Sequence, residues 1–203
     1  MTIIGLTGPT GSGKSTLCEI ALELGIKSIN ADKVYHGLLI PPSPCLNDIV
    51  SMFGSRVLTA DGLLDRAVLA SIVFENGAED KLAKLNEITH KYVKEEFRRI
   101  ISAMTNKGEK WVIVDAPTLY ESKFDRECDF TIAIIADKAI RANRIIERDA
   151  LSVSRAEQRL SAQKSDDFFT ERSDFVIYNN GDKNALKRSF ENIITKYGGI
   201  DEN

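Results

Sequence analysis

The strongest chemical signal in the chain is a run of small residues ended by a lysine: Gly8-Pro9-Thr10-Gly11-Ser12-Gly13-Lys14-Ser15. It fits the pattern G-x-x-x-x-G-K-S/T. Glycines at these places let the backbone wrap tightly, so that successive N–H groups converge on phosphate oxygens. A helix beginning at the loop adds the positive end of its dipole. Lys14 supplies a point charge for the β- and γ-phosphates, and the Ser15 hydroxyl is placed to ligate Mg²⁺. Gly8, Gly11, Ser12, Gly13, Lys14 and Ser15 therefore read as a nucleoside triphosphate cradle. The motif does not say what receives the phosphate.

Two further sets of residues bear on that question. A nucleotide-dependent switch needs a strand-end Asp-x-x-Gly and a guanine-reading Asn-Lys-x-Asp. Here Asp115-Ala116-Pro117-Thr118 lacks the glycine, and Asn106-Lys107-Gly108-Glu109 precedes a strand instead of following one. A motor domain is poorly supported by so short a chain. A small-molecule kinase needs an acceptor site, a lid, and arginines over the transferring phosphoryl group. Arg141, Arg144, Arg148, Arg155 and Arg159 can supply the last two. Alternatively they form a solvated helix face paired with Glu147, Asp149 and Glu157.

The elements that must position these groups follow from periodicity. Ile3–Thr7 is a β-branched run expected to be a buried strand. Lys14–Leu24 carries Leu17, Ile20, Ala21 and Leu24 on one helical face, and Ile26–Asn30 is a second strand. Strand, glycine turn, helix and strand make a βαβ unit and so a parallel sheet. Pro41, Pro42 and Pro44 then open a helical stretch with stripes at Leu46–Phe53, at Leu69, Ile72 and Val73, and along Glu79–Met104. Strands return at Trp111–Val114, Phe130–Ala136 and Phe175–Tyr178. Asp137 is expected to cap a helix through Arg148, Ser154 another through about Gln163, and a last helix buries Leu186, Phe190, Ile193, Ile194 and Tyr197. The expected fold class is α/β: a three-layer phosphate-loop fold with a parallel five-stranded sheet, a helical insert and a helical lid.

Composition narrows the setting. The chain has 203 residues, 43% hydrophobic, with a net charge of −3. That length supports one domain with its own core, and the acidic balance argues against a nucleic-acid partner. Cys18, Cys45 and Cys128 are too few and too irregularly spaced for a disulfide framework, and His36 and His90 are the only histidines, so a zinc site is not expected. No apolar run approaches a membrane span, and Met1–Leu6 is too short for a signal peptide. A cytoplasmic protein is expected, a monomer or weak homo-oligomer.

The residues also carry a family likeness. Ile4-Gly5-Leu6-Thr7-Gly8 with Gly11–Thr16, then Ala31-Asp32, Asp61-Gly62, Asp65-Arg66, Val73-Phe74, Leu85-Asn86 and Ile88-Thr89-His90 follow in order. Asp115-Ala116-Pro117 with Glu121, then Arg144, Arg148-Asp149, Gln163 and Asn179 complete the series. In these motifs and their order the sequence resembles the dephospho-CoA kinase family. There are departures. Pro9 stands for a glycine, Asn30 for the first aspartate of Asp-Ala-Asp, and Lys91 for a proline. Thr118 and Tyr120 alter the Asp-x-Pro-Leu-Leu-x-Glu segment, Arg141 stands for glutamine and Phe169 for lysine.

The resemblance implies in-line transfer of the ATP γ-phosphoryl group to the ribose 3′-hydroxyl of dephospho-CoA, the last step of coenzyme A synthesis, with Mg²⁺. It implies Lys14, Asp32 and Arg144 as catalytic residues, with Asp32 as general base and Arg144 as charge clamp; Asp32 could instead cap the helix Lys33–Leu39. Thr16, Arg148 and Asn179 join the nucleotide set. Asp32, Arg66, His90 and Glu121 make the acceptor set, although Arg66 reads equally as half of an ion pair and His90 as a packed mid-helix residue. Asp115 joins Ser15 at the metal, or caps the loop before Pro117. One kinase domain is expected, with core 1–36, 108–144 and 165–203, acceptor insert 37–107 and lid 145–164. The alternatives are a sister nucleoside or nucleotide kinase, or a nucleotide-binding protein without transferase activity.

Overall fold

A computed structural model describes residues 1–197. The core segment expected over 165–203 runs beyond them, and 198–203 lie outside the described residues. The chain divides into two compact units, Met1–Ile29 with Glu109–Asn203, and Asn30–Gly108.

The strands are β1 (Thr2–Thr7), β2 (Lys27–Asn30), β3 (Trp111–Asp115), β4 (Phe130–Ile135) and β5 (Phe175–Tyr178), in the order β2-β3-β1-β4-β5. The pairs β1–β3, β1–β4 and β4–β5 are parallel. Ile4, Leu6, Ile113, Ile132, Ile134 and Ile177 pack on Leu17, Ile20 and Ala21 of α1 (Lys14–Glu23) and on Leu186, Phe190, Ile193 and Ile194 of α9 (Lys183–Lys196). Ala133 and Ile135 face the other way, onto Phe169 of α8 (Asp166–Thr170). With both faces covered, β3 and β4 read in sequence as largely apolar runs without alternation, interrupted by Thr131 and ended by Asp115.

The remaining helices of this unit are α6 (Lys138–Asp149) and α7 (Val153–Ser161). They share a small core of Ile145, Ala156 and Leu160. Two expectations need correcting here. The cap of α7 is Ser152, whose Oγ accepts from Arg155 N at 3.4 Å; Ser154 lies inside the helix. Asp137 occupies the capping position of α6 but makes no cap bond. Its carboxylate accepts instead from Asn180 Nδ2 at 2.9 Å, while its N–H donates to Asn180 Oδ1 at 2.9 Å. Helix α8 is too short, at five residues, to announce itself by periodicity.

The second unit holds α2 (Ala31–Gly37), α3 (Pro44–Phe53), α4 (Arg66–Val73) and α5 (Glu79–Asn106). Its core joins Cys45, Ile49 and Phe53 of α3, Leu69, Ile72 and Val73 of α4, and Leu85 of α5. Side-chain caps start three of these helices: Asn30 on Lys33 N for α2, Ser43 on Leu46 N for α3, and Asp65 on Ala67 N and Val68 N for α4. Among the described residues no helix is long and apolar enough to cross a membrane.

Candidate active site

The phosphate loop lies between β1 and α1. Its first glycine, Gly8, has φ +134°, and a Cβ there would stand 2.2 Å from the backbone oxygen of Ile134. Only glycine allows the loop to leave β1 this close to the neighbouring strand. Gly13 sits at the start of α1 with φ +110° and provides no side-chain cap. The first N–H groups of α1 therefore remain available to an anion. Lys14 donates through Nζ to Gly8 O at 2.7 Å and Pro9 O at 3.3 Å, which holds its charge over the loop. Ser15 is exposed and Thr16 half-buried in the first turn of α1.

Other elements hold the loop from outside. Arg144 of α6 donates through Nη1 to Gly11 O at 3.2 Å and Ser12 O at 3.3 Å, and through Nη2 to Asn179 O at 3.1 Å. Asn179, just past β5, donates through Nδ2 to Ser12 O at 2.7 Å. Gln163, after α7, accepts from Thr10 N at 2.9 Å. In sequence Gln163 is only a motif position; its bond to the loop spans more than a hundred residues, and no local pattern announces it.

Asp115 ends β3 and is buried, in register with Leu6 one strand over. That register places its backbone beside the end of β1, where the loop begins. Burial, and then the Asp115 carboxylate, push the Cys18 thiol of α1 up to about 12, against a smaller opposing pull from Lys14. A hydroxyl at Ser15 and one carboxylate at Asp115 are a hard, oxygen-only donor pair. Such a pair suits Mg²⁺, which keeps most of its shell as water and phosphate oxygen.

The remaining predicted residues fall elsewhere. Arg148 is exposed and bonds Asp149 in bidentate fashion, Nε to Oδ1 at 2.8 Å and Nη2 to Oδ2 at 2.9 Å; Arg159 reaches the same carboxylate at 2.6 Å. This pairing holds the Asp149 carboxyl below its ordinary value, the Arg148 bond being the largest cause. Arg141, expected among the lid arginines, is instead buried at 7% exposure and pairs with Asp166 at 3.2 Å. It stands on the face of α6 that packs inward, and its backbone oxygen lies against Gly11. Glu121 is exposed in the turn after β3.

Asp32, Arg66 and His90 belong to the helical unit. Asp32 is exposed in the first turn of α2 and does not cap it, since Asn30 does. Arg66 opens α4, and its Nη2 meets the Nδ1 of His36 at 2.9 Å; the alternative of a carboxylate partner is not what the geometry shows. No local pattern marks that meeting of two basic side chains, and nothing in the sequence singles out His36 for the site. His90 is half-buried in α5, and burial, then Lys94, push its imidazole below the usual histidine range. Tyr92 of the same helix donates to Asp48 Oδ2 at 2.6 Å.

Several of the sequence's departures from the family pattern take structural roles. Asn30 caps α2. Lys91 lies over the ring of Tyr92, 4.7 Å from its centroid. Tyr120 Oη meets Ser173 Oγ at 2.6 Å, and Phe169 fills the core beside Ala133 and Ile135.

A parallel sheet in this order, with a phosphate loop after β1 and a strand-end carboxylate beside it, defines a nucleotide-binding phosphate-loop protein of the small-molecule kinase class. A family model described as dephospho-CoA kinase matches residues 2–185. A dephospho-CoA kinase from Carboxydothermus hydrogenoformans is 35% identical over 197 residues, covering 97% of this chain and 95% of its own. One from Fusobacterium nucleatum is 38% identical over 189 residues, covering 93% and 95%. The solved dephospho-CoA kinase from Campylobacter jejuni superposes with a TM-score of 0.67 at 28% identity, covering 96% of each chain. The chain belongs to the dephospho-CoA kinase family.

Proposed function

We propose that the chain transfers the γ-phosphoryl group of ATP to the ribose 3′-hydroxyl of dephospho-CoA, giving coenzyme A and ADP. What carries this reading is a complete phosphate loop inside a family match that runs through both structural units. The loop N–H groups and Lys14 hold the β- and γ-phosphates, with Gly8, Gly11, Ser12, Gly13, Ser15 and Thr16 shaping the cradle. Arg144 adds its charge beside the loop. Ser15 and Asp115 would hold Mg²⁺, which neutralises charge on the phosphate oxygens when bound.

A ribose hydroxyl is too weak an acid to ionise before attack. In a loose transition state its proton leaves late, so Asp32 orients the nucleophile as much as it deprotonates it. With Asn30 serving as the cap, the Asp32 carboxylate has no capping duty to leave. Arg66, His90 and Glu121 are assigned to the acceptor, and Arg148 to the nucleotide from the segment 145–164, which acts as lid. Segment 37–107 is assigned as the acceptor insert, and 1–36, 108–144 and 165–203 as the core. The setting that suits these substrates is the cytoplasm.

The test is a coupled ADP-release assay with ATP and Mg²⁺, offering dephospho-CoA, adenosine, AMP and CMP in parallel. Turnover confined to dephospho-CoA, and lost in Asp32→Asn while ATP binding persists, is the expected result. Turnover with another acceptor moves the enzyme to a sister kinase, and an Asp32→Asn variant of full activity removes the base.

A further inference from the structure

The loop's grip on phosphate depends on which way its peptide planes face. We propose that Asn179 is a positioning residue for nucleotide binding: together with Arg144 it braces the phosphate loop so that the Gly13 N–H points into the cradle. This deepens the reading above and rests on it for the nucleotide.

The argument begins with one peptide plane. Ser12 C=O and Gly13 N–H belong to the same trans peptide and point in opposite directions. Whatever fixes the carbonyl therefore aims the N–H. Ser12 O is held by Asn179 Nδ2 at 2.7 Å and by Arg144 Nη1 at 3.3 Å. Arg144 Nη1 also takes Gly11 O at 3.2 Å, so two consecutive loop carbonyls are pulled outward by one guanidinium.

Asn179 is itself anchored through its main chain. Its N–H donates to Ile135 O at 2.7 Å, and its C=O accepts from Arg144 Nη2 at 3.1 Å. It is 6% exposed. With its main chain anchored to β4 and to Arg144, the short, buried side chain reaches Ser12 O from a fixed base. The neutral amide is also the right chemistry, because a carboxylate there would set acceptor against acceptor.

The same contact accounts for the neighbouring residue. A Cβ on Gly13 would lie 2.1 Å from Asn179 Nδ2. The brace occupies the space a side chain would need, which ties Gly13 to a residue more than a hundred and sixty positions away.

The experiment compares Asn179→Ala and Asn179→Asp with the wild type, measuring Kd for ATP and for dephospho-CoA by calorimetry alongside thermal unfolding. Losing one buried hydrogen bond that aims a ligand-binding group predicts a rise of about tenfold in Kd for ATP. Kd for dephospho-CoA stays within about twofold, the tolerance for a site the substitution does not touch. Asn179→Asp keeps the size of the side chain and carries the test should the alanine variant not fold.

A second measurement introduces Gly13→Ala into the wild type and into Asn179→Ala. Backbone strain at φ +110° acts in both, but the contact with Asn179 Nδ2 is gone from Asn179→Ala, so the two substitutions act less than additively on ATP affinity. Unchanged ATP affinity in a folded Asn179 variant overturns the proposal. Parallel losses for both ligands overturn it too, because they mark general destabilisation, as does strict additivity with Gly13→Ala. A wild-type chain that binds ATP without binding or phosphorylating dephospho-CoA overturns the acceptor reading alone, since the ATP comparison stands without it.

Discussion

Gly8→Ala tests whether the loop's close approach to the sheet is a requirement of the fold or an accident of it. The new Cβ meets two penalties. The backbone at φ +134° is a region that side chains rarely adopt, at a cost of about 1–3 kcal/mol. The Cβ also lands 2.2 Å from Ile134 O. That oxygen belongs to β4, which is paired with β1 on one side and β5 on the other and has little room to yield. Overpacking of this kind costs about 1–3 kcal/mol more. Taking about 3 kcal/mol as a working sum, a chain of this size loses about 6–12 °C in Tm. Gly25→Ala is the control. Its φ is +78° with nothing within 4 Å of the added Cβ, so backbone strain acts alone. At about 1 kcal/mol that amounts to about 2–4 °C. Thermal unfolding of the two variants, with ATP titrated into each, separates strain from contact. The reasoning fails if Gly8→Ala melts no lower than Gly25→Ala and binds ATP as the wild type does.

Asn30→Ala removes the cap bond to Lys33 N, 2.9 Å long, and lowers stability by about 1 kcal/mol in urea unfolding; Asn30→Asp keeps an acceptor there and is neutral within about 0.5 kcal/mol. The thiols predict a pH dependence. Burial pushes Cys18 and Cys128 up to about 12 and Cys45 up to about 11. An unfolded chain loses thiol protons from about pH 8.5 upward, while the folded chain keeps them, so the native state binds more protons and stability falls as pH rises. Urea midpoints at pH 8 and pH 10 show this fall, and it is smaller in Cys128→Ala; equal falls in both chains would remove burial of that thiol as a cause. At pH 7.5 the same thiols react slowly with iodoacetamide in the folded chain and fully after denaturation.

The sequence alone determined whatever depends on near neighbours in the chain. The phosphate loop is contiguous, so residue types over eight positions specify it, and the helix after it follows from Leu17, Ile20 and Ala21 recurring on one face. The parallel sheet was legible because a β-glycine loop-α-β series leaves little other topology, and its inner strands β3 and β4 are largely apolar and buried. The family likeness spans the chain in its order of motifs. What local pattern could not supply was direction and partnership across long separations. Five arginines in Arg141–Arg159 look alike in sequence. Packing α6 against α7 and the phosphate loop sends Arg141 inward to Asp166, gives Arg144 to the loop carbonyls, and leaves Arg148 outward on Asp149. Ser154 looked like a cap by residue type, yet Ser152 has the extended backbone and the bond that make one. Asn179 is marked in sequence only by the family likeness, which assigns it to the nucleotide but names no partner in the chain. Only the register of β5 beside β4 brings its amide to Ser12 O, because hydrogen bonds between distant segments are set by the packed geometry of the whole sheet and not by local propensity.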